Sequence, residues 1–113
     1  MESILTSIKK LLGIAEEYEH FDADLIMHIN SVFLVLTQIG VGPSDGFVIT
    51  DSNATWNDFV QDDIKKMQAV KTYVYLKVKL LFDPPSTSTL LESTKELIRE
   101  YEFRLNHAAE FGQ

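Results

Sequence analysis

A chain of 113 residues, 45% of them hydrophobic, is sized for a single domain with a small core, and its formal charge of −7 argues against a nucleic-acid grip. Five of its ten basic residues lie at Lys65, Lys66, Lys71, Lys77 and Lys79, but at helical spacing they scatter around the circumference and form no stripe. The absence of cysteine removes disulfides, thiolate chemistry and Cys-based metal sites together and fits a reducing compartment; MESILTSIKK lacks the basic and apolar regions of a signal peptide, so the chain is expected to stay where it is made.

The first helix is expected over residues 3–16. Ser3 can cap it, and Ile4, Leu5, Ile8, Leu11, Leu12 and Ala15 share one face that Tyr18 extends. Gly13 weakens this helix by up to about 1 kcal/mol, and Glu16, Glu17 and Glu19 oppose the macrodipole at its end, which predicts early termination.

A second helix is expected over 22–39. Asp22 is placed to cap it, Asp24 suits its first turn, Phe21 can staple onto Ile26, and Gly40 is the stop. Between Leu25 and Ser44 there is no charged residue. Leu25, Ile29, Val32, Phe33 and Leu36 make one face, while Met27, Leu34 and Val35 put apolar groups on the others. His28, Asn30, Ser31, Thr37 and Gln38 interrupt this run, and its flanks Asp22, Asp24 and Asp45 are acidic, so burial in an assembly fits better than a membrane span.

Residues 40–54 form the one long irregular loop. Gly42-Pro43 and Asp45-Gly46 are turn signals, and Phe47-Val48-Ile49-Thr50 is a short extended piece that either closes the core or reaches a neighbour. Thr55 and Asp58 mark a short helix over 55–60, anchored by Trp56 and Phe59.

The central helix is expected over 62–82, ending at Asp83-Pro84-Pro85. Met67, Val70, Val74, Val78 and Leu81 form one apolar arc, and Ala69, Tyr73, Leu76 and Leu80 a second. The residues from Val70 to Phe82 also alternate, but the segment is too long for an ordinary strand. Two arcs imply a helix covered on both sides, by its own chain or by a neighbouring subunit.

The last helix is expected over 89–108, with Thr89 and Glu92 as a capping box and Leu90, Leu91, Leu97, Ile98, Tyr101, Leu105 and Ala108 on its buried face. Glu96 with Arg99 and Glu100 with Arg104 are spaced for surface pairs. Phe103 points outward from this charged face as a candidate contact.

The fold class is therefore all-α, a small bundle of four to five helices in one domain. Catalytic chemistry has no residues to rest on. His20, His28 and His107 lack ligand spacing, Asp45, Asp51 and Asn53 lack the calcium-loop order, Gly40-Val41-Gly42 has no following Gly-Lys-Ser/Thr, and Glu16-Glu17 and Asp62-Asp63 do not face each other across a cleft. No cofactor or metal is expected.

The order of parts resembles the small helical head-tail connector, or adaptor, proteins of tailed bacteriophages and prophages. It is carried by Asp22-Ala23-Asp24 opening an apolar helix that ends in Gly40, then a loop, then Thr55-Trp56-Asn57-Asp58-Phe59. Leu80-Leu81-Phe82-Asp83-Pro84-Pro85 and the closing Glu100-Tyr101-Glu102-Phe103-Arg104-Leu105-Asn106 complete it.

The resemblance implies a structural role in the virion neck after a stage in the host cytoplasm. It implies a homo-oligomeric ring, commonly of about a dozen copies, that joins the portal protein to a stopper, head-completion or tail-completion protein and lets DNA pass without specific binding. The second and central helices would then supply most of the core and lateral contacts. The loop 41–53 and the tail 103–113 would meet the portal or the next neck protein. Phe47, Val48, Ile49, Tyr73, Leu76, Leu80, Phe103 and Phe111 are the candidate interface residues. A small cytoplasmic helical regulator or inhibitor, binding one protein through the same apolar surface, is the alternative.

Overall fold

Capping chemistry decides where the helices begin. The computed structural model of the protein describes residues 2–61 and 63–110, and among these the chain forms α1 (Ile4–Leu11), α2 (Asp22–Gln38), α3 (Trp56–Phe59), α4 (Ile64–Phe82) and α5 (Ser88–Glu110). The only pairing of extended backbone among them is an isolated bridge between Ser3 and Thr55. The all-α bundle expected from the sequence is thus the fold. Ser3 accepts from Thr6 N at 3.2 Å to start α1, and Asp63 accepts from Lys66 N at 3.0 Å to start α4. At α3, Asp58 Oδ2 accepts from Thr55 N at 2.9 Å, the reach-back half of a capping box.

Helix α1 stops at Leu11, well short of residue 16. Gly13 has φ +81°, a left-handed conformation that turns the chain away, and Lys9 then gathers the following segment. Its side chain, 2% exposed, donates from Nζ to Glu16 O at 2.8 Å and to Tyr18 O at 2.7 Å, and lies 2.8 Å from Asp22 Oδ1. The expected stripe is accordingly cut short. Ile4, Leu5 and Ile8 are buried, whereas Leu11, Ala15 and Tyr18 are exposed.

Asp22 is the first residue of α2 and not its cap. Phe21 holds the cap position without a side-chain hydrogen bond, because the Asp22 carboxylate is turned to Lys9. Leu25, Ile29, Val32, Phe33 and Leu36 are all buried, as their spacing predicts, while Met27 and Leu34 face outward. Gly40, with φ +90°, ends the helix, and a Cβ there would stand 3.1 Å from Ala109 Cβ, so α5 passes close to this point.

The polar residues that interrupt α2 have structural tasks. Asn30 donates from Nδ2 to Ile49 O at 3.0 Å and accepts at Oδ1 from Ile49 N at 2.8 Å, pinning the loop by its backbone. Thr37 Oγ1 bonds back to Phe33 O at 3.0 Å. Below Asn30 the loop folds onto an aromatic cluster, with Phe33 centred 4.5 Å from Phe59 and 5.3 Å from Phe47. Gly42 (φ +88°) permits this approach: a Cβ there would fall 2.4 Å from Phe59 Cε1. Trp56 Nε1 donates to Ser7 Oγ at 2.8 Å and Ser7 Oγ donates to Ile4 O at 3.0 Å, tying α3 to α1 through the core.

Helix α4 packs against α2 on one side and α5 on the other, so most of its two apolar arcs is covered within one chain. Val70, Tyr73, Val74 and Val78 are buried, a seam drawn from both arcs, while Leu81 is left exposed. Tyr73 Oη donates to Glu102 Oε2 at 2.6 Å and joins α4 to α5.

The cap of α5 is Thr87, whose Oγ1 accepts from Leu90 N at 3.3 Å; the expected Thr89–Glu92 box falls inside the first turn. Only Ile98 and Leu105 of the expected face are buried, with Leu91, Tyr101 and Ala108 half-buried and Leu90 and Leu97 exposed. One narrow row rests on α4, and the 90/97 row lies about 100° around the helix from it. Glu96–Arg99 and Glu100–Arg104 form the expected surface pairs.

Removing the Lys9 ammonium leaves two part-buried carbonyls and a carboxylate without their cation, so Lys9→Met is expected to cost about 3 kcal/mol, read from the denaturant midpoint. Asn30→Ala strands both backbone groups of Ile49. It is expected to cost about 2 kcal/mol and to raise hydrogen exchange selectively at residues 47–50.

Burial first, then the hydrogen bond and charge of Glu102, hold the Tyr73 phenol far above its usual range. The folded chain keeps this proton after the unfolded chain has lost it. The resulting stability is complete below the ordinary tyrosine pKa of about 10 and is lost as pH rises beyond it. Urea midpoints should therefore fall less steeply above about pH 10 in Tyr73→Phe than in the parent chain; equal slopes would show that Tyr73 is not the source.

Candidate interaction surface

The covered core leaves a defined set of apolar side chains outside. On α2, Met27 and Leu34 sit seven residues apart, 60% and 59% exposed, on the side away from the buried row. The loop brings Val48, 67% exposed, to the same region, where Leu34, Thr37, Phe47 and Val48 line a shallow groove below Asn30. Asn30 sets this geometry. By holding Ile49 it turns Ile49 inward and Val48 outward, since neighbouring side chains of an extended segment point to opposite faces.

A second set lies on α4 and α5. Leu81, Leu90 and Leu97 are exposed, and Leu76 and Leu80 are half-buried along the arc of α4 that also carries Ala69. Toward the start of α4 a cleft opens between the two helices. Ala69, Tyr101, Leu105 and Ala108 line it, and Lys65, Lys66, Arg104 and Asp63 stand around it. Phe103 forms a third point, 70% exposed, stacked on His107 with ring centroids 6.0 Å apart.

The residues singled out from the sequence therefore divide. Val48 and Phe103 are fully presented, and Phe47, Leu76 and Leu80 are partly so. Phe47 spends most of its surface on Phe33 and Phe59, 5.3 and 5.2 Å away. Ile49 and Tyr73 lie in the subunit's own core, Tyr73 because its hydroxyl is bonded to Glu102. Phe111 falls outside the described residues. Leu34, Met27, Leu90 and Leu97 were not singled out as contacts; the seven-residue spacing within each pair was the available signal.

Side chains weighed for metal or catalysis have local tasks. Asp51 accepts from Asn53 N at 2.8 Å and from Asn53 Nδ2 at 3.2 Å, closing a turn. His20 packs edge-on against Phe21 with centroids 4.9 Å apart, and His28 faces Phe82. Among the described residues no cluster of three His, Cys, Asp or Glu is placed to hold a metal ion, and no helix is long and apolar enough to cross a membrane.

What the arrangement offers is contact surface on a closed helical core, distributed over α2, the loop and the α4–α5 side. No curated protein and no solved structure matches this chain. The profile of one family, described as phage connector protein, matches residues 4–112. With that match running from the first turn of α1 to beyond α5, the chain belongs to the phage connector protein family.

Proposed function

We propose that this connector is a ring-forming structural protein of the phage neck, seated between the portal protein at the capsid vertex and a stopper or tail-completion protein. DNA passes through the ring without being held. The observation that carries the reading is the exposure of Met27, Leu34, Val48, Leu90, Leu97 and Phe103 on a subunit whose core is already closed. A lone chain gains nothing from presenting several large apolar side chains, whereas an assembled subunit covers them. Lateral contacts are assigned to the outer row of α2 and the exposed side of α4 and α5, with Leu76 and Leu80 at their margin. The loop with Val48, the end of α5 with Phe103, and Phe111 beyond the described residues are assigned to the neighbouring tiers.

An acidic chain is consistent with this conduit. A charge of −7 per subunit, repeated around a ring, disfavours adhesion of the DNA phosphates and leaves passage unhindered. Before assembly the subunit resides in the host cytoplasm; afterwards it is part of the virion.

Light scattering of the purified protein over a range of concentrations, with negative-stain images, is expected to reveal rings either alone or after mixing with a portal protein. A chain that stays monomeric in both conditions would overturn the ring. Phe103→Asp is expected to leave the circular dichroism spectrum and unfolding midpoint unchanged while weakening co-assembly with the portal at least severalfold. Unchanged co-assembly would remove Phe103 from the contact.

A further inference from the structure

Two groups of charged side chains of opposite sign, without salt bridges among the described residues, stand at opposite ends of α4. Glu16, Glu17 and Glu19 are exposed on the turn between α1 and α2, none in a salt bridge, and Tyr18 among them is 50% exposed. The Phe21 ring lies 5.1 Å from the Phe82 ring, which places this turn beside the C-terminal end of α4. Lys65 and Lys66 stand at the opposite end of the same helix, and neither has a salt-bridge partner among the described residues. Sixteen or so residues of helix separate the two ends by about 25 Å, too far for the charges to meet within one chain.

The lysines flank the cleft between α4 and α5, of about 350 Å³, whose floor is Ala69, Tyr101, Leu105 and Ala108. Arg104 stands on its rim, already paired with Glu100, and Asp63 also borders it, its carboxylate engaged in capping Lys66 N. The positive end of the α4 dipole points the same way and adds to the attraction for carboxylates.

Resting on the ring reading, we propose that the acidic turn of one copy docks into this cleft of the next: Tyr18 enters the apolar floor, and Glu16, Glu17 and Glu19 meet Lys65 and Lys66. The occupant is a second copy because the chain itself supplies both halves, an apolar side chain framed by carboxylates and an apolar cleft framed by ammonium groups. Because the halves lie at opposite ends of α4, the contact is head-to-tail. Such a contact propagates from copy to copy and closes into a ring when the rotation allows it. The Lys9 clamp holds the turn in one shape before contact, which lowers the ordering cost of association.

The absence of cysteine in the chain makes the contact directly testable. Glu17→Cys and a size-tagged Lys66→Cys are prepared separately, mixed and oxidised, and the covalent products are resolved by mass. The mixed disulfide dimer is expected to exceed both homodimers severalfold, and Lys65→Glu with Lys66→Cys, or high salt, is expected to reduce that excess. A statistical mixture of the three dimers overturns the contact. The parent chain's mass, alone and with a portal protein, separates this failure from that of the ring. Rings with a statistical dimer mixture leave the ring standing and remove this docking mode; monomers with an enriched mixed dimer support the docking contact and overturn the ring; monomers with a statistical mixture overturn both.

Discussion

The burial of one ammonium group sets the geometry of the N-terminal third of the molecule. Lys9 Nζ carries three protons and faces three oxygens, two of them backbone carbonyls from beyond the end of its own helix. The contact with Asp22 Oδ1 is one of charge, since that oxygen receives no aligned hydrogen bond. A buried cation is costly unless hydrogen bonds and an opposite charge compensate it, here two carbonyls and the Asp22 carboxylate, so the segment that supplies the oxygens has little freedom to leave. The turn between α1 and α2 is held this way, although it contains no regular structure. The carboxylates of Glu16, Glu17 and Glu19 are left outside, facing solvent, because Lys9 takes backbone carbonyls, those of Glu16 and Tyr18, and none of the glutamate side chains.

The remainder of the core is organised by a division of labour within α2. Its buried row closes on α4 and on the aromatic cluster around Phe33, while a single amide, Asn30, fastens the loop. Intrachain packing covers most of both arcs of α4, leaving Leu81 exposed and Leu76 and Leu80 half-buried. The remaining apolar surface comes from the outer rows of α2 and α5 and from the tip of the loop. This apolar helix faces two ways, its buried row to the core and Met27 and Leu34 outward, and it carries no charged residue after Asp24.

Much of this was legible in the residues. Helix number and order, the buried row of α2, the stop at Gly40, the Thr55–Asp58 start and the surface pairs of α5 follow from local chemistry that acts within four or five residues. The elements that were misjudged depend on distant partners. Nothing near Lys9 announces that it will be buried, because its oxygens come from residues 16–22. Asp22 looks like a cap until a lysine thirteen positions earlier claims its carboxylate. On α5 the apolar residues span more of the circumference than one neighbour can cover, and only the placement of α4 decides that Ile98 and Leu105 go in while Leu90 and Leu97 stay out. Tyr73 stands among the candidate contacts through its place on the second apolar arc, and Ile49 through the apolar loop piece; their hydrogen bonds to Glu102 and Asn30 are tertiary facts.

The way Asn30 grips the loop has an evolutionary consequence. The amide reads only the backbone of Ile49, and the core asks of the loop little more than Val41, Phe47 and Ile49 as buttons into fixed buttonholes. The stretches between those buttons, around Pro43–Asp45 and Asp51–Asn53, are anchored at both ends and use their side chains for local turns and not for the core. On the proposed reading of the loop as a contact, a phage lineage can rewrite or lengthen them to suit a changed neighbour while the helical core that carries them stays the same.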